Sequence, residues 1–167
     1  MIIGIVLAFL LYVDTLPAPV ISVLEDMVTH CKETSKLTRF SAIVNCGFPE
    51  SHQNDNALAV CAEFARSAGF EWMGGLSLGA GEGVVHTVPL KELGGRGSSL
   101  RKALEVAAAK LAVGQPVPDK AQQLLSKPVM PVWLYKLGGS IGWKMQAKKF
   151  GTQKLLKARP YQKAMQG

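Results

Sequence analysis

The chain opens on an uninterrupted apolar stretch. Ile2 to Phe9 is aliphatic, rich in β-branched residues and free of charge. That is the pattern of a strand buried on both faces of a parallel sheet. Leu10 to Pro17 reads as its exit loop. Pro17 and Pro19 suit the first turn of a helix, along which Val20, Val23, Leu24, Met27 and Val28 recur at helical spacing. Ser41 to Asn45 predicts a second short strand, broken by Gly47 and Pro49. Residues 53–68 predict a second helix with Leu58, Cys61, Ala62 and Ala65 on one face and Gly69 as its stop. Phe70 to Leu78 predicts a third strand that runs into Gly79–Gly83. Residues 98–113 predict a third helix, with Ser98 or Ser99 at its N-cap and Gly114 beyond it.

Strand and helix therefore alternate three times. Such alternation implies right-handed crossovers and an α/β fold, a parallel sheet with helices on both faces. Gln115 to Pro118 reads as a linker, dividing the chain into a sheet domain over 1–118 and a basic, largely helical extension over 119–167.

Composition changes this picture little, but charge changes it in one respect. A hydrophobic fraction of 48% and a charged fraction of 19% exclude a disordered chain. Residues 1–119 hold 9 Lys and Arg against 12 Asp and Glu, whereas residues 120–167 hold 10 Lys and Arg and no acid. The basic end reads either as a solvated lysine-rich helix or as a surface for phosphates, nucleic acid or an anionic membrane. Its lysines are scattered, which favours the first reading, without specific nucleic-acid binding and with peripheral membrane contact as the lesser alternative. Cys31, Cys46 and Cys61 lie 15 residues apart with no CxxC. That spacing speaks against a disulfide framework or zinc site and for a reducing, cytoplasmic setting. The apolar start lacks a positive flank and is too short to span a bilayer.

Ligands of open parallel sheets bind beyond the carboxyl ends of the strands. Three loops fall there: Leu11–Pro17, Asn45–His52 and Gly74–Gly83. The first two combine an aromatic ring, polar groups and irregular backbone, a surface for a flat and partly apolar ligand. Tyr12 and Phe48 either cover such a ring or plug the ends of the core. Gly79-Ala80-Gly81-Glu82-Gly83 is a poor dinucleotide fingerprint, because Val84–Gly97 intervene before the next helix pattern and Glu82 repels phosphate. Cys46 lacks an evident activating base, His52 being six residues on, and reads better as a small buried residue than as a nucleophile. Asp14 and Glu50 read as acid–base groups or as helix caps. No carboxylate pair, metal box or Ser/His/Asp arrangement stands out.

At these loops the chain resembles a known family. Phe9-Leu10-Leu11-Tyr12-Val13-Asp14-Thr15-Leu16-Pro17-Ala18-Pro19 looks like the loop after the third strand of NAD(P)H-dependent FMN reductases of the flavodoxin-like superfamily. Asn45-Cys46-Gly47-Phe48-Pro49-Glu50 resembles their loop after the fourth strand, and Gly74–Gly83 their glycine-rich stretch after the fifth. Pro131–Tyr135, Gly142-Trp143, Ala147–Gly151 and Ala158–Tyr161 are similar to the end of one bacterial branch, so the likeness runs from about residue 5 to residue 161. It implies a three-layer flavodoxin-like sheet and an FMN site formed by Leu11, Tyr12, Val13, Asp14, Thr15, Asn45, Cys46, Gly47, Phe48 and Glu50. It also implies hydride transfer from NADPH or NADH through the flavin, with no catalytic acid or base, in a homo-oligomer.

The chain departs from the family in two ways. Leu10 stands where the family has proline. The family's first strand, phosphate-binding loop, first helix and second strand have no counterpart here, so the expected fold is N-terminally truncated. Ile2–Phe9 is then left on an open edge and the FMN phosphate without its cradle. The open edge raises the alternative of a non-catalytic protein that pairs with a partner through that strand.

Overall fold

A computed structural model describes residues 3–32, 37–81, 83, 89–128 and 131–159. The chain forms two compact units, Met1–Val129 and Met130–Gly167. The first contains β1 (Ile3–Leu10), α1 (Ala18–Lys32), β2 (Thr38–Asn45), α2 (Asp55–Ala68), β3 (Glu71–Leu78), α3 (Ser98–Ala112) and α4 (Asp119–Leu125). The second contains α5 (Val132–Lys149) and a short 3-10 turn at Gln153–Leu155.

The first unit is α/β, built on an open parallel sheet of order β1-β2-β3. Side chains alternate between its faces. Phe40, Ala42 and Val44 of β2 turn toward Leu24 of α1 and Ala57, Cys61 and Ala65 of α2, with Ile5, Leu7 and Phe9 of β1 packed against the same cluster. Phe40 is fully buried and sits among three rings, 5.4 Å from Phe64, 6.0 Å from Trp72 and 6.4 Å from Phe70. On the other face Ile43 and Leu76 look toward Leu104, Ala107 and Leu111 of α3.

Local signals account for the element ends. Carbonyl Pro17 accepts from the N–H groups of Val20 and Ile21, so the proline pair opens α1. Gly69 closes α2 in the left-handed conformation, φ 73°. The N-cap of α3 is Gly97 with no side-chain cap, and Ser98, expected there, is already helical. Glu50, read as a possible helix cap, makes no capping hydrogen bond to the 3-10 turn at Ser51–Asn54.

The two sheet edges are treated differently. β3 carries a bulge, its register against β2 shifting between Phe40–Trp72 and Ala42–Gly75. Its outer edge is occupied: Val117 N–H donates to the Met73 carbonyl at 2.7 Å, and the Ser77 N–H donates to Gln122 Oε1 of α4 at 2.9 Å. α4 therefore belongs to the sheet unit, burying Ala121 and Leu125. The compact unit accordingly extends to Val129, eleven residues past the expected boundary at 118. The proline-flanked stretch 115–118 that looked like a linker is packed along β3 through Val117.

β1 corrects the sequence reading in one respect. It was expected to be buried on both faces, but Val6 is 54% and Leu10 65% exposed. α3 covers β3 and β2 on that face, with Met73 and Leu76 almost fully buried, and does not extend across β1.

In the second unit α5 buries Ala147 and leaves Trp133, Leu137, Ile141, Trp143 and Met145 exposed. Its basic residues are Lys136, Lys144, Lys148 and Lys149, and the Lys149 ammonium stands 5.9 Å from the centre of the Phe150 ring. Among the described residues no helix is long and apolar enough to cross a membrane. Residues 160–167, including the Pro160-Tyr161 end of the family-like tail, lie outside the described residues.

Candidate functional site

The carboxyl ends of the three strands place the predicted loops side by side. The first loop is a tight turn in which the Tyr12 N–H donates to the Thr15 carbonyl at 3.1 Å and the Thr15 N–H returns the bond at 3.2 Å. Both central residues are left-handed, Val13 at φ 49° and Asp14 at φ 59°. Positive φ at both central positions is the geometry for which Asn-Gly or Asp-Gly is ordinarily chosen, so a β-branched valine there is strained. Leu16, almost fully buried, pins the turn to the core. Tyr12 (70% exposed) and Val13 (78%) project to solvent, while Leu11 is half-buried.

The second and third loops are tied together by backbone bonds. The Cys46 N–H donates to the Leu78 carbonyl, the Gly81 N–H to the Cys46 carbonyl and the Ala80 N–H to the Phe48 carbonyl. The Leu11 N–H donates to the Asn45 carbonyl at 2.7 Å and so joins the first loop to the second. Ala80 is also left-handed, φ 55°. Among the described residues, Val13, Asp14 and Ala80 are the non-glycine positions with positive φ, and all three lie on this rim.

Phe48 is half exposed, so neither Phe48 nor Tyr12 plugs the core. Cys46 is buried, its thiol directed at the carbonyls of Phe48 (3.6 Å) and Glu50 (3.8 Å). Burial pushes its pKa up, with the Glu50 charge adding to the rise, and the hydrogen bonds of Phe48, Asn54 and Ala80 oppose this only in part. The thiol form is therefore the resting one, as for a packing residue. Asp14, Thr15, Gly47 and His52 are exposed and Glu50 half-buried.

Beneath the rim runs a buried polar network that the sequence reading did not single out. Asn54, fully buried, donates to Ser77 Oγ and to the Leu78 carbonyl, each at 3.0 Å, and Ser77 Oγ donates to the Ser51 carbonyl. The side-chain carbonyl oxygens of Asn45 and Asn54 are buried without a protein partner. Gly81 lies directly on Asn45, where a Cβ would collide with the carboxamide. Asn54 sits at a helix start, a place where asparagine usually signals only a cap, so its role was hidden.

Many backbone donors of the rim are engaged within the rim itself. Phosphate cradles require free N–H donors. Here the N–H groups of Leu11, Tyr12, Thr15, Cys46, Ala80 and Gly81 are all committed to backbone carbonyls. Gly81 and Gly83 are helical within the stretch expected to be a loop, and Glu82 lies outside the described residues. No group of three or more His, Cys, Asp or Glu among the described residues is placed to hold a metal ion.

One cavity borders the rim and another lies further down the sheet. One of about 330 Å³ lies behind Pro49 and Gly79, bounded by Leu100 and Leu124. The other, about 420 Å³, is an apolar groove between the open face of β1–β2 and α3, lined by Val6, Ile43, Leu104, Ala108 and Leu111 among others.

These features define an α/β protein with an open parallel sheet and a strained, aromatic-bearing rim at its carboxyl end. Compared with known proteins, the chain matches no family model, no curated protein and no solved structure.

Proposed function

We propose that the rim binds the flat ring of a flavin, and that the chain is an FMN-binding oxidoreductase of the NAD(P)H-dependent type with a flavodoxin-like layout. One observation carries this reading. Among the described residues, the non-glycine positions with left-handed backbone are Val13, Asp14 and Ala80, in the loops that hold Tyr12 and Phe48 out of the core. Strain of this kind costs of order 1–3 kcal/mol per residue and persists where a site needs it.

A bound flavin would supply hydride transfer between a nicotinamide and an acceptor. The chain's own residues have other tasks. Tyr12, Val13 and Phe48 would lie against the ring and keep water from its faces. The polar groups of Asp14, Thr15, Gly47 and Glu50 line the same rim. The six committed N–H groups of Leu11, Tyr12, Thr15, Cys46, Ala80 and Gly81 are not available to the ribityl phosphate.

The test is a fluorescence titration of the purified chain with riboflavin and with FMN. The reading expects both to bind, with dissociation constants within about threefold, roughly 0.7 kcal/mol, because the ring and not the phosphate makes the contacts. A folded sample that quenches neither flavin overturns it. A strong preference for FMN would mean that a phosphate site lies elsewhere in the chain.

A further inference from the structure

We infer that the second unit contacts membranes, with α5 lying along an anionic lipid surface and its aliphatic side set into the acyl boundary. The inference is independent of the flavin reading, since it uses no residue of the rim.

The spacing of the large side chains motivates it. Leu134, Leu137, Ile141 and Met145 recur at helical intervals and so fall on one side of α5. All four are exposed, from 41% at Leu134 to 67% at Met145. Trp133 flanks this side and is exposed too, whereas Trp143 lies about 160° round the helix and outside the proposed contact. A helix solvated on every side has no use for four large aliphatic residues in a row. Contiguous apolar exposure of this kind marks an interaction surface.

Charge identifies what covers it. Lys144 and Lys149 stand on either side of the aliphatic stripe, and Lys148 stands at its carboxyl end, all three exposed. Their stems can lie along apolar surface while the ammonium groups reach lipid headgroups. Residues 120–167 hold 10 Lys and Arg and no acid, so nothing in this part of the sequence repels an anionic surface. Residues 1–119, with 12 acids against 9 bases, carry the opposite balance. Anionic lipid therefore attracts this end of the chain and not the other.

A lipid surface matches these features better than nucleic acid does. Phosphates of either kind would take the lysines, and bases stack on aromatic rings. Neither covers leucine, isoleucine and methionine in a row, which acyl chains do. Trp133, on the flank, is of the residue type that settles at headgroup level. The helix is not long and apolar enough to cross a bilayer, so it lies on the surface rather than through it.

The test is co-sedimentation of the full chain with vesicles of phosphatidylcholine, alone or mixed with phosphatidylserine. The expected result is binding at least about tenfold tighter to the mixed vesicles. Replacing Lys144 and Lys148 together by Gln should weaken that binding roughly fivefold per lysine. Ile141→Gln, which keeps every charge, should weaken it about tenfold, because the aliphatic side loses its centre. Trp143→Phe, on the far side, should bind as the wild type does. All these positions are exposed, so the variants keep the fold, which circular dichroism checks. No binding to either vesicle overturns the inference, as does equal binding to both. Mixed-vesicle binding indifferent to Ile141→Gln also overturns it, since charge alone would then be acting. Tighter binding to single-stranded RNA than to the mixed vesicles would give the surface to nucleic acid instead.

Discussion

Gly79 closes the candidate site, and replacing it with alanine tests the way the rim is assembled. A Cβ at Gly79 would lie 2.6 Å from the Pro49 carbonyl oxygen, 2.8 Å from the Ser51 nitrogen and 3.0 Å from the Glu50 carbonyl carbon. All three are backbone atoms, so no rotamer change relieves the overlap. Restoring ordinary contact, about 3.4 Å, requires the 49–51 segment to retreat by roughly 0.8 Å from β3. The Ser77–Ser51 hydrogen bond and the two bonds from Asn54 hold that segment and would be stretched. Overpacking costs about 1–3 kcal/mol and each weakened bond up to about 1 kcal/mol, so Gly79→Ala should destabilise by about 2–4 kcal/mol. Gly47, in the same loop system, is the control. A Cβ there meets nothing within 4 Å, and its backbone is not left-handed. Gly47→Ala should therefore be neutral or stabilising by up to about 1 kcal/mol, through the unfolded chain. Urea unfolding followed by circular dichroism separates the two, since about 3 kcal/mol moves the midpoint by about 1–3 M. Equal midpoints for the two variants would refute the packing of the second loop on β3.

Three other outcomes follow from the same geometry. Tyr12→Ala and Phe48→Ala should each weaken flavin binding severalfold, about 1 kcal/mol, while leaving the urea midpoint nearly unchanged, because both side chains are exposed; fluorescence titration reads the first effect, and unchanged affinity in both variants would remove the ring-contact assignment. Phe40→Ala should cost about 3–5 kcal/mol, since the ring is fully buried among Phe64, Phe70 and Trp72; a loss under about 1 kcal/mol in chemical denaturation would contradict that core. Burial raises the Cys61 thiol from 9.0 to about 11. The neutral thiol is the form the fold favours, so its contribution is intact below pH 9 and is lost as pH rises from 9 to about 11, about 2–3 kcal/mol in all. Relative to Cys61→Ala, the wild-type chain should lose its advantage across that window, and parallel pH profiles for the two would count against it.

The α/β order was legible because each element carries its own period and its own stop. β1, β2 and β3 are short apolar runs, and Gly69 and Gly114 both adopt the left-handed backbone that ends a helix. The rim was legible for a different reason. A parallel strand order alone names the loops at the carboxyl ends, whatever the ligand. The posture of the side chains was not legible. Tyr12 and Phe48 could equally have capped the core, and only the paired positive φ of Val13 and Asp14 shows the first of them turned outward. A valine in such a turn gives no sign of it in sequence, because local preference favours the opposite. The left-handed Ala80 is silent for the same reason.

The misjudged face of β1 has a physical cause of wider reach. Apolar composition reports that a strand can be buried on both sides, but burial depends on how far a neighbouring helix extends. α3 buries Leu100, Ala103 and Ala107, and its Leu104, Ala107 and Leu111 line a groove with Ile43 of β2 and Leu76 of β3. Covering β1 on that face requires a further helix, or a continuation of the sheet that brings new neighbours to Val6 and Leu10. Among the described residues, the even-numbered side chains Val6 and Leu10 of this hydrophobic run therefore stay exposed while Ile5, Leu7 and Phe9 pack into the core.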